Sequence, residues 1–530
     1  MASDLFFRTE DIRAEEVLNY LVETDIDRVV IDRLKGRSPI ILRGSRGVGK
    51  SFLLRAAEAE LNREFEPNHV LPVYLTFARA PLIQTPMPDK FIAWMISKIC
   101  NRIIRAATQR GLNLPGGSAI DAIRGGRSTQ KPSRMEQIET LLEDSWKNRH
   151  PSVPGDDLPG PEVVRDAVED LCRHTGLARI ALFVDEAAHV FIPQQQRQFF
   201  TLMRDLRSPY ISVKAAVYPG ATSFGESFQP THDATILDLD RPVTDQDYAA
   251  TMRELVLKQD DSRKRSIDQY GEVFDTLAYA ATGNPRILLK TVARTSPLNR
   301  RAGQETIREY YRDEIWSEHS SLAERYPGHK ELIDWGRRFI EGSVLPELHT
   351  RNLHRSQASS YLWVHRDCPQ AVREALRLLC YSSILQEGIS GVRATRSEVG
   401  TRYMVNLGCL FALDSDPIAF GALVRGSLSV RRMIEFGANH KAYQPIDKLK
   451  VNLSEVEDRS ALEARLQTPS HVLDLTLFQR QKLRELGFTT IGHVLKADEN
   501  DFMQAYYVGP VRARQMRNAA VAAVLEYLSG

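Results

Sequence analysis

Four short apolar runs, at 39–42, 70–77, 180–184 and 211–217, punctuate the first part of the chain, each followed by turn residues or by helical spacing. Strands alternating with helices predict a parallel sheet covered by helices on both faces. Between 111 and 160 the pattern breaks, because glycines and prolines from Pro115 to Pro159 bracket one helical piece around 135–146; a surface insertion with mobile flanks is expected there. From about Thr244 the strand signal fades and helical periodicity runs to Glu318, an all-helical module. Helical patterns at 330–339 and 370–379 then precede two strand-like segments, 383–387 and 401–407, around a glycine-containing turn. Residues 416–470 are mixed and linker-like, and 475–528 are helical again.

Composition narrows the classes. A length of 530 residues fits about three or four domains. Lys plus Arg is 70 against 68 for Asp plus Glu, a net +2, so the chain is neither a polycation nor an acidic tail and any basic surface is local. The five cysteines are scattered and form no C-x-x-C pair, which excludes a zinc ribbon and a disulfide framework and predicts a reducing compartment. No apolar run approaches the ~18–20 residues that span a bilayer, and 1–10 lack a leader pattern, so a cytoplasmic protein with no membrane partner is expected.

Gly44-Ser45-Arg46-Gly47-Val48-Gly49-Lys50-Ser51 fits the phosphate-loop pattern G-x-x-x-x-G-K-[ST], between a predicted strand and a helix opening at Phe52. Glycines let the backbone curl so that successive N–H groups face phosphate oxygens; Lys50 then reaches the β- and γ-phosphates of ATP and Ser51 offers an oxygen to Mg²⁺. The segment 44–52 is therefore the candidate nucleotide-binding loop. Downstream, the apolar run 180–184 ends in Asp185-Glu186. Two acids that merely cap a strand are commonplace, but paired with the loop they read as the metal-side motif: Asp185 holds Mg²⁺ and Glu186 polarises the attacking water. The strand at 211–217 ends in Tyr218, Thr222 and Ser223, either γ-phosphate sensors or ordinary turn residues, and Arg204 and Arg207 are either arginine fingers or solvated side chains. Gly283-Asn284-Pro285-Arg286 opens a helix with Asn284 as cap and Pro285 at its first position, projecting Arg286 toward the phosphates.

In this order the phosphate loop, the Asp185-Glu186 strand, the further strand and the Gly-Asn-Pro-Arg helix start resemble AAA+ ATPases over roughly 8–413. A helical lid followed by a winged helix is similar to the origin-recognition-like initiator branch and its relatives among STAND ATPases. The resemblance implies an α/β P-loop core (parallel sheet, helices on both faces) at 1–243, a helical lid at 244–325, a winged-helix domain at 326–415, a linker at 416–470 and a last domain at 471–530. It also implies roles: Lys50 as loop lysine, Ser51 and Asp185 as magnesium ligands, Glu186 as catalytic glutamate and Arg286 as the lid arginine. Two departures stand out: the usual polar sensor after the fourth strand is not clearly placed, and the insertion at 111–160 is long.

The last domain resembles helix-hairpin-helix modules, including the type closing bacterial RNA-polymerase α subunits, through Gly487 to Leu495 and the hairpin Val508-Gly509-Pro510-Val511-Arg512-Ala513-Arg514. Such a turn leaves N–H groups facing a DNA phosphate, with Arg512 and Arg514 adding charge; contacts of this kind carry no base information. In the winged helix, Arg393 and Arg396 fall in the wing turn, and Arg373 and Arg377 lie one helical turn apart. The expected function is a Mg-dependent ATPase acting as a switch on DNA, as a homo-oligomer or with a partner. The alternative is a STAND-like signalling ATPase, for instance of a bacterial defence system, whose C-terminal modules dock a protein effector.

Overall fold

The computed structural model describes residues 5–80, 83, 88–114, 116–124, 132–145, 158–187, 193–219, 222–225, 227–325, 327–393, 398–447 and 459–528. Five strands, β1 (Ile40–Arg43), β2 (Val70–Thr76), β3 (Arg179–Asp185), β4 (Ile211–Val217) and β5 (Thr235–Asp238), form one parallel sheet in the order β2-β3-β4-β1-β5. β3 and β4 are buried along their whole length, which is why β3 reads as an unbroken apolar run over 180–184; β4 buries two polar residues as well, Ser212 and Lys214, the latter donating to Gly36 O at 2.8 Å. On one face lie α1 (Asp25–Lys35) and α2 (Lys50–Arg63), packed on Leu42, Val70, Phe183 and Ala216. On the other lie α3 (Pro88–Gln109), α4 (Ser118–Arg124), α5 (Arg134–Glu143), α6 (Pro161–Thr175) and α7 (Pro193–Asp205), over Leu71, Leu182 and Val213. The chain leaves β1 for the far edge, β2, and steps back through β3 to β4, so β1 and β4 border the crevice at the strand ends where open α/β sheets bind ligands.

The helices within 111–160 differ from the loose surface insertion expected of them. Ile120, Ile123, Met135, Ile138 and Leu142 are buried in the same core as β2 and β3, and the carboxylate of Glu143 takes Lys98 Nζ at 2.7 Å and Arg79 Nη1 at 2.6 Å. The predicted mobile flanks lie largely outside the described residues.

The helical module carries α8 (Tyr248–Gln259), α9 (Gly271–Ala280) and α10 (Pro285–Arg294). Then come α11 (Lys330–Phe339), α12 (Leu345–His354), β6 (Tyr361–His365), α13 (Gln370–Tyr381) and the antiparallel hairpin β7 (Leu385–Arg393) and β8 (Val399–Val405). The stretch expected as a linker is ordered at its start: α14 (Pro417–Ser427) packs on α9, Arg425 pairing with Asp275 at 2.8 Å, and β9 (Ile434–Phe436) completes a second sheet, β7-β8-β6-β9. Four C-terminal helices, α15 (Leu477–Glu485), α16 (Ile491–Lys496), α17 (Glu499–Phe502) and α18 (Pro510–Leu528), enclose their own small core around Leu483, Ile491, Phe502 and Met516. Among the described residues no helix is long and apolar enough to cross a membrane.

Candidate functional site

The phosphate loop begins where β1 ends. Gly44 N–H donates to Val217 O at 3.3 Å, tying the loop to the end of β4, and a Cβ at Gly44 would meet Val48 Cγ1 at 2.7 Å. Gly47 (φ 87°) and Gly49 (φ 110°) supply the left-handed turns that bring the chain into α2, whose first N–H groups have no intrahelical acceptors. Lys50 is buried; its ammonium donates to Gly44 O at 2.6 Å and Ser45 O at 2.9 Å and sits 4.2 Å from the Tyr218 ring centroid. Burial pushes it down to about 7, against the opposing pull of Asp185, with Arg286 and Arg46 lowering it further. Ser51 is half-buried in the first turn of α2, whereas Phe52 packs against the core of that layer.

Asp185 ends β3, with β4 between it and β1. Its carboxylate accepts from Tyr74 Oη at 2.6 Å and from Glu186 N–H at 2.9 Å. Glu186 holds a left-handed backbone (φ 54°), an arrangement that costs a non-glycine residue about 1–2 kcal/mol and concentrates at functional sites. Burial, then the neighbouring Asp185 and Glu10, push its carboxyl up to about 7, while Arg46 and Arg286 oppose the rise.

The start of α10 closes over the loop. Asn284 caps the helix through Ile287 N–H and donates from Nδ2 to Arg46 O at 2.7 Å; Arg286 N–H reaches Gly47 O at 3.4 Å and Arg286 Nε donates to Phe7 O at 3.1 Å. Burial, then the adjacent Arg46, lower the Arg286 guanidinium. Beside Gly49, Arg241 makes a two-pronged pair with the buried Asp27, at 2.8 and 3.1 Å. From the C-terminal side, Ser383 Oγ donates to Arg46 O at 3.3 Å and the Tyr381 ring lies 5.8 Å from the Arg46 guanidinium and 5.7 Å from Tyr218.

The structure thus gathers Arg46, Lys50, Asp185, Glu186 and Arg286, which sequence reasoning had placed in one site. It adds Tyr74, Tyr218, Arg241, Tyr381 and Ser383. Of these, only Tyr218 stood where the sequence directed attention, at the end of the fourth strand; the Thr222 hydroxyl donates to Tyr218 O, and the Ser223 main-chain N–H donates to Gln196 Oε1. A buried lysine whose charge is only partly offset, beside two half-buried arginines, fits a ligand carrying several negative charges. Lys50, Arg46, Arg286 and the α2 amides would hold the phosphates of ATP, and Ser51 and Asp185 carry the oxygen donors that Mg²⁺ prefers. Among the described residues no cluster of His, Cys, Asp and Glu forms a separate metal site, and all five cysteines are buried and unpaired.

The DNA-contact candidates differ in exposure. Arg393 is exposed at the end of β7, and Arg396 lies outside the described residues. α13, which carries Arg373 and Arg377, is packed against α18, with Gln370 N–H donating to Asn518 Oδ1 at 2.9 Å; its Arg377 pairs with Glu374 at 3.2 Å, whereas Arg373 is exposed. At the C-terminal hairpin the left-handed residue is Tyr507 (φ 63°) rather than Gly509, which is exposed just before α18. Arg512 is exposed, donates to Tyr507 O and stacks 5.1 Å from the Phe478 centroid. Arg514 corrects the expectation: it is buried, paired with Glu499, and donates to Asn439 Oδ1 at 3.0 Å, because its place on α18 turns it toward the 438–439 loop. Arg204, one of the two arginine-finger candidates, pairs with Asp205 and donates to Ser227 O at 2.6 Å.

No protein-family model and no curated protein matches this sequence. Among solved structures, the Aeropyrum pernix ORC1 protein in complex with DNA is similar at a TM-score of 0.33 and 15% identity, over 77% of this chain and 97% of that one; likeness at this level supports no conclusion about function.

Proposed function

We propose that the chain is a Mg-ATP-dependent switch of the AAA+ kind, with nucleotide held between the α/β core and the helical module. One observation carries this reading: a phosphate-loop lysine, two loop- and lid-borne arginines and an Asp-Glu pair from three separate segments converge on the ends of β1 and β3. Binding requires Lys50 to leave the carbonyls of Gly44 and Ser45 for the phosphates. Asp185 and Ser51 would hold Mg²⁺, which when bound would supply charge neutralisation for the phosphates. Glu186, once ionised, accepts a hydrogen bond from the attacking water and takes its proton as the new bond from water oxygen to the γ-phosphorus forms and the bond from that phosphorus to the β–γ bridging oxygen breaks; ADP leaves with the bonding electrons, and Arg286 and Lys50 stabilise the transferred group and the leaving phosphate oxygens. The C-terminal modules bind duplex DNA through backbone phosphates, with Arg393, Arg512 and the N–H groups opening α18 after Gly509 as contacts, in a homo-oligomer or beside a partner protein.

A second reading, a STAND-like signalling ATPase docking a protein effector, is favoured by one feature. Arg514 is buried and Arg377 on α13 is paired with Glu374, while Leu477, Tyr506 and Tyr507 are 83%, 75% and 68% exposed. ATP turnover with and without duplex DNA at two salt concentrations, with Lys50→Ala as blank, separates the two. Turnover that rises with DNA and falls steeply with salt supports the DNA switch; turnover indifferent to DNA moves the assignment to the effector-docking regulator. Glu186→Gln is expected to keep ATP affinity and lose at least about 10²-fold in turnover, in keeping with removal of a general base. Unchanged turnover would take Glu186 out of the mechanism.

A further inference from the structure

The outer edge of β2 is an open strand edge set in a cleft of about 480 Å³ between α2 and α3. Among the described residues no strand pairs with it. Phe77 N–H donates to Asp185 O and His69 O accepts from Ala178 N–H, so the odd-numbered residues face β3. By strand alternation the main-chain groups of Val70, Pro72, Tyr74 and Thr76 face outward: three N–H donors, since proline has none, and four carbonyls. At about 3.3 Å per residue the edge runs roughly 20 Å.

The walls are cationic. Arg55 lies on the α2 side, and Arg102, Arg105 and Arg110 on the α3 side, against one carboxylate, Glu58. Two of these arginines are engaged: Arg55 pairs with Glu58 at 2.8 Å and stacks 3.4 Å from the Tyr74 centroid, and Arg110 donates to Asn62 Oδ1 at 2.9 Å. Arg102 and Arg105 have no partner among the described residues. An edge guarded this way repels a second copy of itself, because arginines would face arginines and Pro72 withholds a donor. It attracts a strand with carboxylates at alternate positions, all on the α3 side, where Arg102 and Arg105 wait.

We propose that the β2 edge and its arginine-lined cleft form a docking site for an extended, acidic segment of a partner protein, which adds a sixth strand to the sheet. Main-chain pairing supplies affinity and Arg102 and Arg105 select acidic side chains.

The probe is a fluorescein-labelled peptide of about ten residues alternating Glu and Thr, followed by anisotropy on the full chain, with a version N-methylated at alternate residues and a single-stranded oligonucleotide of similar charge as comparators. Saturable binding of the peptide is expected, weakened about tenfold or more by Arg102→Glu with Arg105→Glu and by N-methylation, and kept by the paired Lys variants. Hydrogen exchange at the amides of Val70, Tyr74 and Thr76 should slow on binding. No peptide binding up to about 1 mM overturns the proposal, as does equal binding by the Glu variant or the methylated peptide. Binding of the oligonucleotide alone, lost in the Glu variant, overturns it in favour of a nucleic-acid groove.

Discussion

Replacing Tyr381 with Leu and Ser383 with Ala in one chain removes the two contacts that the turn after α13 makes with Arg46, while keeping most of the bulk at both positions. Both contacts hold the loop where Lys50 is engaged by its own carbonyls, so both oppose nucleotide entry. Their sizes follow from geometry. The guanidinium lies 5.8 Å from the Tyr381 centroid, close to the ~6 Å limit of a cation–π contact, which puts it near 0.5 kcal/mol. The Ser383 hydroxyl reaches Arg46 O at 3.3 Å, a long bond contributing about 0.5 kcal/mol. Together about 1 kcal/mol is released, and ATP affinity should rise roughly fivefold. Titration with a ribose-labelled fluorescent ATP analogue measures it, with Tyr381→Phe, which keeps the ring, as the control at wild-type affinity. Unchanged or weaker binding by a double variant that still unfolds cooperatively would refute the idea that this turn restrains the loop.

The pH dependence of ATP binding follows from Lys50, whose ammonium burial pushes down to about 7. Phosphates require it charged, so affinity should fall as pH rises from about 7.5 to 9, a range in which the triphosphate is already fully ionised; a flat calorimetric profile would contradict this. Asp27→Asn leaves Arg241 without its carboxylate in a buried pair and should lower unfolding stability by about 3–5 kcal/mol in urea titrations, whereas a change below about 1 kcal/mol would mean that the pair is solvated. Arg514→Ala should destabilise the C-terminal helices, read by protease cleavage near 438–439, and leave the salt dependence of any DNA binding unaltered. Thr282→Val keeps the branched shape but strands the buried Leu407 N–H, for a loss of about 1–3 kcal/mol in the same urea titration; no loss would show that another acceptor takes over.

The phosphate loop and the Asp185-Glu186 strand end were legible because each is a local device: the glycines, the lysine and the preceding apolar strand are contiguous, and their conformation depends on little else. Tyr74, Arg241 and Tyr381 were not, because each reaches the site across long chain separations; Tyr74 lies 111 residues from Asp185. Arg514 was misjudged for the same reason, since its partner Glu499 sits on a different helix and the sequence shows only an arginine beside a glycine turn. One miss carried a readable signal: Asp416-Pro417 is a cap followed by a first-turn proline opening α14. β9 had none: three residues are too few to show alternation, and its place is fixed only by pairing with β6.

The short segment 279–286 explains why the phosphate loop and the hairpin module belong to one device. Thr282 (φ 51°) and Gly283 (φ 74°) are left-handed in succession, a conformation unfavourable for a β-branched residue unless its surroundings enforce it. Each group around the turn has a separate anchor. Gly283 N–H donates to Tyr248 Oη at 2.8 Å, and a Cβ at Gly283 would meet Arg241 O at 2.5 Å, so only glycine fits against the strut that reaches Asp27. Thr282 Oγ1 accepts from Leu407 N–H at 2.8 Å and Thr282 O from Gln386 Nε2, both beyond α13. Two residues later Asn284 and Arg286 grip the loop itself. A turn held from four sides has few ways to relax alone, because moving Asn284 away from Arg46 pulls on a backbone that Leu407 and Gln386 hold from the hairpin side. Opening of the loop and movement of the hairpin module are therefore mechanically joined through Thr282, independent of which macromolecule the C-terminal modules contact.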